Sequence, residues 1–349
     1  MKTKLLSIAA AAFVAVLLGA SGVSQAAPEV TLKFHHFLPP VSAAHRTMID
    51  PWAKAVEKSS GGKIKVEIYP SMSLGGTPPQ LIRQVRDGVV DIVWTLNGYT
   101  AGQFPRTEVF ELPFVHTNNA VATNLAMYDM FEQYLKPEWS DVKVILLHVH
   151  AGNAIQMVNS SVNTPDDLKG KKIRIPTRTG AWLLEALGAN PVGMPVPALP
   201  QALSKRVVDG ALVPFEIIPP LKLQELTEFQ IEGEGSARFG TATFVIAMNK
   251  NKYESLSAEL KKAIDDNSGR DFAIAAGRAW TNNEKGGLAA AQKVGNKYIV
   301  LPKAEMDKFK VKLEPVVDRW IADVKGKGVD GRALVDAARK EIAKHSNTR

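Results

Sequence analysis

From Val30 onward the chain alternates short β-rich runs with amphipathic stretches, the pattern of an α/β protein. Residues 30–34 predict a first strand, which breaks at Pro39 and Pro40. Ser42 then caps a helix with Met48, Trp52, Ala55 and Val56 on one face, until Gly61 and Gly62 stop it; Pro51 is placed to kink that helix. Over 63–69, Ile64, Val66 and Ile68 alternate with Lys65 and Glu67, a half-buried strand. Thr77 and Pro78 open a helix that buries Leu81, Ile82 and Val85 and ends at Gly88, and 89–94 predict the next strand.

A related phrase recurs further along. Gly62-Lys63-Ile64-Lys65-Val66 through Val89-Val90-Asp91 is echoed by Gly170-Lys171-Lys172-Ile173-Arg174-Ile175 through Val207-Val208-Asp209, each time as strand, helical matter, strand. Two lobes of related plan are implied. Around the second copy, 144–150 predict a strand, and Thr164 to Leu168 a capped short helix that delivers the chain into 173–175. A strand over 241–248 precedes a strongly helical stretch, 257–294, whose buried stripe starts at Leu256, Leu260 and Ile264. A strand at 298–301 and helices over 305–324 and 333–344 complete the pattern.

With 349 residues the chain is long enough for two lobes with their own cores. It has no cysteine, which excludes disulfides, thiol chemistry, zinc-thiolate sites and iron–sulfur clusters. Lys2 and Lys4 precede the apolar run 5–18, and small residues lead to Ala26, so residues 1–26 are expected to be a signal peptide cut after Ala26. The run is shorter than the roughly 20 residues that span a bilayer, and without a cysteine at the cut no lipid anchor follows. The expected location is therefore the periplasm. The net charge of +8 is spread among acids except at 169–174 and 308–312, so no phosphate-tracking stripe and no nucleic-acid partner is indicated.

Enzyme signatures are mostly missing. The sequence has no nucleophile elbow, no phosphate loop and no zinc helix, and Gly233-Glu234-Gly235 fails the dinucleotide fingerprint and reads as a turn. His148 and His150 share a face of the predicted 144–150 strand; a metal could use them, or they are hydrogen-bonded histidines at a strand end. Arg174 leaves its strand on the face opposite Ile173 and Ile175, just before the loop 176–180 that leads into a helix. Open α/β sheets bind ligands at such strand ends, and a planar guanidinium can clamp a carboxylate through two parallel hydrogen bonds. The same residue also reads as a surface arginine. Phe37, Trp94, Tyr99, Trp182 and Phe215 fall near strand ends and can wall a cleft or pack a core. Glu216 could hold a cation, or be an exposed carboxylate.

The stretch 169–214, KGKKIRIPTRTGAWLLEALGANPVGMPVPALPQALSKRVVDGALVP, resembles the signature of the substrate-binding proteins of tripartite ATP-independent periplasmic (TRAP) transporters, the DctP-like family. The resemblance extends to GGKIKVEIYPSMSLGG from Gly61, RDGVVDIVW from Arg86, ELPFV from Glu111 and YESLSAELKKAI from Tyr253. It implies an α/β fold of two lobes, mixed sheets flanked by helices, a ligand cleft between them and a long C-terminal spanning helix. The lobes are expected to comprise 27–149 with 241–280, and 150–240 with 281–349. It also implies a small-molecule carboxylate as ligand, delivery to the small and large membrane permease subunits, no cofactor, no metal and no catalysis.

The family's carboxylate-binding arginine falls on Arg174. Two departures stand beside it: Ala151, Gly152, Asn153 and Ala154 lie where many relatives place a second basic residue, and Val213 precedes Pro214 where many place an asparagine. A strongly hydroxylated ligand would then leave buried hydroxyls unpaired at about 1–3 kcal/mol each. A monocarboxylate with an apolar or aromatic body is therefore expected, such as a benzoate, a mandelate or an aryl-keto acid, with branched 2-oxo or hydroxy acids, dicarboxylates and sugar acids as alternatives. In that scheme Arg174 takes the carboxylate, Trp94, Tyr99 and Phe215 sandwich the body beside Val213, and backbone groups near Phe37, Gly75 and Asn153 add hydrogen bonds. A periplasmic hydrolase or isomerase, or a sensor that presents its ligand to a receptor, are the competing readings.

Overall fold

The computed structural model describes residues 27–348; the predicted signal peptide, 1–26, lies outside them. In chain order the strands and helices of the first half are β1 (Val30–His36), α1 (Asp50–Ser59), β2 (Ile64–Tyr69), α2 (Leu81–Arg86), β3 (Ile92–Leu96), α3 (Ala120–Met130), β4 (Val142–Val149), β5 (Ala154–Met157), β6 (Lys172–Ile175), α4 (Arg178–Ala186) and β7 (Asn190–Gly193). There follow α5 (Leu199–Ser204), β8 (Gly210–Val213), β9 (Phe229–Gly233), β10 (Thr243–Asn249), α6 (Lys250–Ser255), α7 (Ala258–Asp265), α8 (Gly269–Lys293), β11 (Lys297–Leu301), α9 (Lys303–Lys325) and α10 (Gly331–Lys344).

Two mixed sheets result, in the orders β2-β1-β3-β10-β4 and β11-β9-β5-β8-β6-β7. Read from the other end, the second repeats the first: β6 lies parallel to β7 and β8 as β1 does to β2 and β3, and an antiparallel strand follows in each, β5 or β10. The repeat is locked by one contact made twice. The Asp91 carboxylate accepts the Lys33 N–H and the Asp209 carboxylate accepts the Lys172 N–H, both at 2.8 Å. The sequence echo is therefore correct at its Val-Val-Asp end and shifted at its other end. It pairs the strand at 64–66 with β6, whereas the counterpart of β6 is β1, because strands of one lobe share the pattern of lysine beside β-branched residues.

In the first sheet β10, which enters between β3 and β4, comes from beyond the strands β5–β9 of the second. The backbone crosses between the lobes at 150–153, from β4 to β5, and at 234–242, from β9 to β10. The two crossings pair with each other: Asn153 N–H donates to the Gly240 carbonyl at 2.8 Å and Phe239 N–H to the Asn153 carbonyl at 2.9 Å. Helix α8 is the third connection. At one end Gly277 is pressed on Val121 of α3, where a Cβ would stand 2.6 Å from backbone; at the other, Gly287 abuts the Phe215 carbonyl oxygen, 1.9 Å from where a Cβ would stand.

Local departures from the sequence reading have identifiable causes. The helix expected from Ser42 begins as a π-helical turn, His45–Ile49, and becomes regular at Asp50, immediately before Pro51, which lacks the N–H that would continue the earlier winding. Val89 and Val90 precede β3 rather than join it, and Val89 is exposed. Phe309, Leu313 and Val316 of α9 pack into the second lobe's core, but Leu334, Val335, Ala338 and Ile342 of α10 join the first core, where α10 lies on α3. The expected grouping of 281–349 with the second lobe thus stops short of α10. Among the described residues no helix is long and apolar enough to cross a membrane.

Candidate functional site

Between the lobes lies a cavity that takes Phe37, Trp94 and Tyr99 from the first lobe, Arg174, Val196 and Val213 from the second, Asn153 from a crossing, and Trp280 from α8. It leaves about 40 Å³ open to the centre of a water molecule, so the lobes stand nearly shut. Each wall follows from its element. Trp94 is carried by the fully buried strand β3, stacked on Phe37 at 4.7 Å between centroids and on Phe244 at 5.2 Å. Tyr99 meets Phe37 edge to face at 5.5 Å.

Arg174 sits in β6 and is 2% exposed. Its Nε–H donates to the Met194 carbonyl at 3.0 Å, and its guanidinium lies beside the Tyr99 side chain. Nη2 is buried without a partner, and among the described residues no carboxylate forms an ion pair with this arginine. Burial lowers its pKa from the usual arginine range, which a neighbouring anion would oppose. A buried guanidinium costs free energy unless an anion compensates it, and here the face that lacks one looks into the cavity.

Two further polar groups line the same space. Asn153 is held by its backbone at the crossing and makes no side-chain hydrogen bond among the described residues. His150 accepts the Gly152 N–H on Nδ1 at 3.0 Å, which leaves its proton on Nε2. Burial, reinforced by His116, Arg238, His148 and Arg174, keeps it neutral by lowering its pKa well below the ordinary histidine value. His148 has a different role: its Nε2 accepts the Trp94 indole N–H at 2.9 Å, and its ring stacks against Trp94, Phe244 and Trp280. It is enclosed by aromatics rather than offered to a metal.

Phe215 and Gly75 are not in the cavity lining. The Phe215 ring turns the other way, beneath the Arg238 guanidinium at 4.4 Å and edge-on to Tyr298. Gly75 lies in the turn after β2 with φ +87°, its carbonyl accepting from Gln84. Trp182 lies outside as well, under Arg178 and Arg319. Glu216, read above as an exposed carboxylate or cation ligand, is buried and faces the cavity. Sequence reasoning missed Trp280 and Phe244. For Trp280 the signal was available: the buried stripe of α8, Ala273, Ala276, Gly277, Trp280, Glu284 and Gly287, has the spacing of a helix face, and only one of its members is large and aromatic.

Across the cleft mouth the lobes are joined by polar contacts. Arg178 of α4 grips Glu108 through two hydrogen bonds, at 2.8 and 2.5 Å, and pairs with Asp323 at 2.8 Å. The Thr179 hydroxyl donates to Glu111 at 2.8 Å, and the Tyr99 hydroxyl accepts the Val196 N–H at 2.9 Å. Beneath the crossings, Arg238 pairs with Glu232 at 2.7 Å and Glu284 at 2.8 Å, tying a crossing to β9 and α8.

The arrangement sets a buried cation and aromatic walls facing one another across the cleft between two lobes. Residues 34–323 match the profile of bacterial extracellular solute-binding proteins, family 7 (DctP). A TRAP solute-binding protein of Rhodoferax ferrireducens, solved with copurified benzoate, is 46% identical, with a TM-score of 0.89 over 91% of this chain and 98% of that one. A marine metagenome TRAP solute-binding protein specific for aromatic acids, solved with 3-hydroxybenzoate, is 44% identical, with a TM-score of 0.90 over 92% and 100%. A TRAP periplasmic solute-binding protein of Bordetella bronchiseptica, solved with (R)- and (S)-mandelate, is 25% identical, with a TM-score of 0.83 over 90% and 99%. The profile match over most of the chain, together with these solved relatives, makes the chain a member of the family 7 solute-binding proteins of TRAP transporters, a binding protein and not an enzyme.

Proposed function

We propose that the protein captures an aromatic monocarboxylate in the periplasm and hands it to the small and large membrane subunits of a TRAP transporter, after export and cleavage behind Ala26. The observation that carries this reading is Arg174: a buried cation with an unpartnered Nη2, facing a cavity walled by Phe37, Trp94, Tyr99 and Trp280. One charge and flat apolar walls fit one carboxylate on one ring. The relatives solved with benzoate, 3-hydroxybenzoate and mandelate support the same chemistry.

Arg174 takes the carboxylate through its free Nη2 edge, with the Asn153 amide as a second donor, and the ring slides between aromatic side chains of the first lobe and Val213 of the second. Because the anchor and the walls belong to different lobes, the ligand makes its full set of contacts only when they close. Its differential affinity for the closed form then shifts the hinge equilibrium. A ring-sized guest needs the lobes to part from the nearly shut form, so it binds the open form before closure.

A thermal-shift screen of organic acids tests the assignment. Ligand at about 100 times its Kd stabilises the fold by about 2.7 kcal/mol. Benzoates and mandelates are expected to raise Tm, and sugar acids and C4-dicarboxylates to leave it unchanged. Arg174→Ala should weaken binding of any hit roughly 100-fold, for two charge-assisted hydrogen bonds at about 1.5 kcal/mol each. A hit whose affinity survives that substitution would show that the anchor lies elsewhere.

A further inference from the structure

Two buried side-chain atoms of the cavity lining have no partner: Nη2 of Arg174 and Oε2 of Glu216. The carboxylate of the proposed ligand explains the first. The second is unused by that scheme.

Glu216 stands just beyond β8 and is 5% exposed. Its backbone is held firmly, whereas its carboxyl group is not held at all. The Glu216 N–H donates to Glu284 Oε1 at 2.9 Å, the Phe215 N–H to Glu284 Oε2 at 3.2 Å, and Gly287 lets α8 lie directly against this segment. Glu284 is itself engaged by Arg238, and among the described residues no basic group pairs with Glu216. Burial, with the Glu284 charge adding to it, pushes the Glu216 carboxyl well above the usual carboxylate range. That shift favours the protonated form, which can donate one hydrogen bond and accept others.

We propose that Glu216 is a specificity-determining residue of this cavity, pairing with a hydroxyl group on the ring of the bound carboxylate and disfavouring ligands that carry a second carboxylate. The inference rests on the proposed function and adds which ring substituents the site prefers. A hydroxyl group both donates and accepts, so it matches a neutral carboxyl group. A second carboxylate would bring a second negative charge into a space where Arg174 is the one cationic side chain of the lining and His150 is neutral. A bare ring binds, but leaves Oε2 unpaired.

Calorimetric titration of the mature protein with benzoate, 3-hydroxybenzoate, 4-hydroxybenzoate and isophthalate tests this. The wild type is expected to bind one of the hydroxybenzoates about tenfold or more tighter than benzoate, and isophthalate more weakly than either. In Glu216→Leu the ratio of hydroxybenzoate to benzoate affinity should fall to about one. Glu216→Gln, which keeps a donor and an acceptor in nearly the same shape, should retain most of it. Because each preference is a ratio on one variant, a general loss of stability cancels. A hydroxybenzoate preference unchanged in Glu216→Leu, or wild-type isophthalate binding as tight as the best hydroxybenzoate, would overturn the assignment of Glu216 while leaving the proposed function in place. Failure of the wild type to bind any of these monocarboxylates, or unchanged binding in Arg174→Ala, would overturn both.

Discussion

Tyr99 and Val196 belong to different lobes, and the hydroxyl of the first accepts the backbone N–H of the second at 2.9 Å. The same hydroxyl lies beside the Arg174 guanidinium. One phenol thus reports closure and orients the anchor. Tyr99→Phe keeps the ring and its edge contact with Phe37 but leaves a buried N–H unpaired and Arg174 less constrained. Ligand affinity should fall about tenfold, the effect of roughly 1.4 kcal/mol, with little change in the stability of the ligand-free protein. Calorimetry on the two proteins checks it.

Closure also depends on a missing side chain. A Cβ on Gly98 would lie 2.5 Å from Cγ2 and 3.0 Å from Cβ of Thr177, across the cleft. Gly98→Val should therefore hold the lobes apart and weaken ligand binding, whereas the double variant Gly98→Ala with Thr177→Ser should recover much of the loss. Small-angle scattering with and without ligand should show the single variant failing to compact.

The interlobe contact at Glu111 carries a pH signature. Burial, with Glu108 adding to it, raises its pKa from 4.5 to about 7, against the hydrogen bonds from Thr243 and Thr179. Between those values the folded protein holds a proton that the unfolded chain has released. The contribution of Glu111 to stability is therefore present below pH 4.5, declines as pH rises, and is gone above about 7. Glu111→Gln should flatten this part of the stability profile in denaturant titrations between pH 5 and 8. Glu138, also raised to about 7, remains as a second source of slope in both proteins.

The histidines act in the opposite sense. His148 and His36 are lowered to about 3 and His116 to about 4, each chiefly by burial. Below pH 6.5 the unfolded chain takes up protons that these folded residues refuse, so stability falls as pH drops from 6.5 towards 4. His148→Gln keeps an acceptor for the Trp94 indole and removes that titration. Its acid unfolding midpoint should lie at lower pH than that of the wild type, even if its stability at pH 7 is reduced.

Arg238 balances two buried carboxylates, Glu232 and Glu284. Arg238→Met removes the cation and leaves both acids in place, and breaking a buried pair of this kind costs about 3–5 kcal/mol. Chemical denaturation at pH 7 should show a loss of that order. The loss should be smaller at pH 5, where Glu284, whose carboxyl burial already pushes up, takes up a proton more readily.

The alternation of Ile64, Val66 and Ile68, the capped turn at Thr77, and the periodic stripes of the C-terminal helices could all be read along the chain, because each is a contact between a residue and its own near neighbours or its own face. The family signature pointed to Arg174, departures from it to Val213 and Asn153, and position near strand ends to Trp94, Tyr99 and Phe37; the structure has these six in the lining of one cavity. Phe215 was misread because the direction of a side chain at a strand end depends on where the strand stops. At β8 it stops at Val213, which turns Phe215 towards Arg238 and Glu216 towards the cavity.

What the chain by itself determined, then, is an α/β pattern of two related halves behind an expected signal peptide, one candidate anion anchor and a ring of aromatic residues near strand ends. Only the tertiary structure decided that α10 returns to the first lobe, that β1 rather than β2 is the counterpart of β6, that His148 braces Trp94 while His150 faces the cavity, and that Glu216 is buried without a partner. The physical reason is one of range. Periodicity and capping arise from interactions within a few residues, whereas burial and the pairing of charges are set by segments that meet only after the backbone has crossed between the lobes.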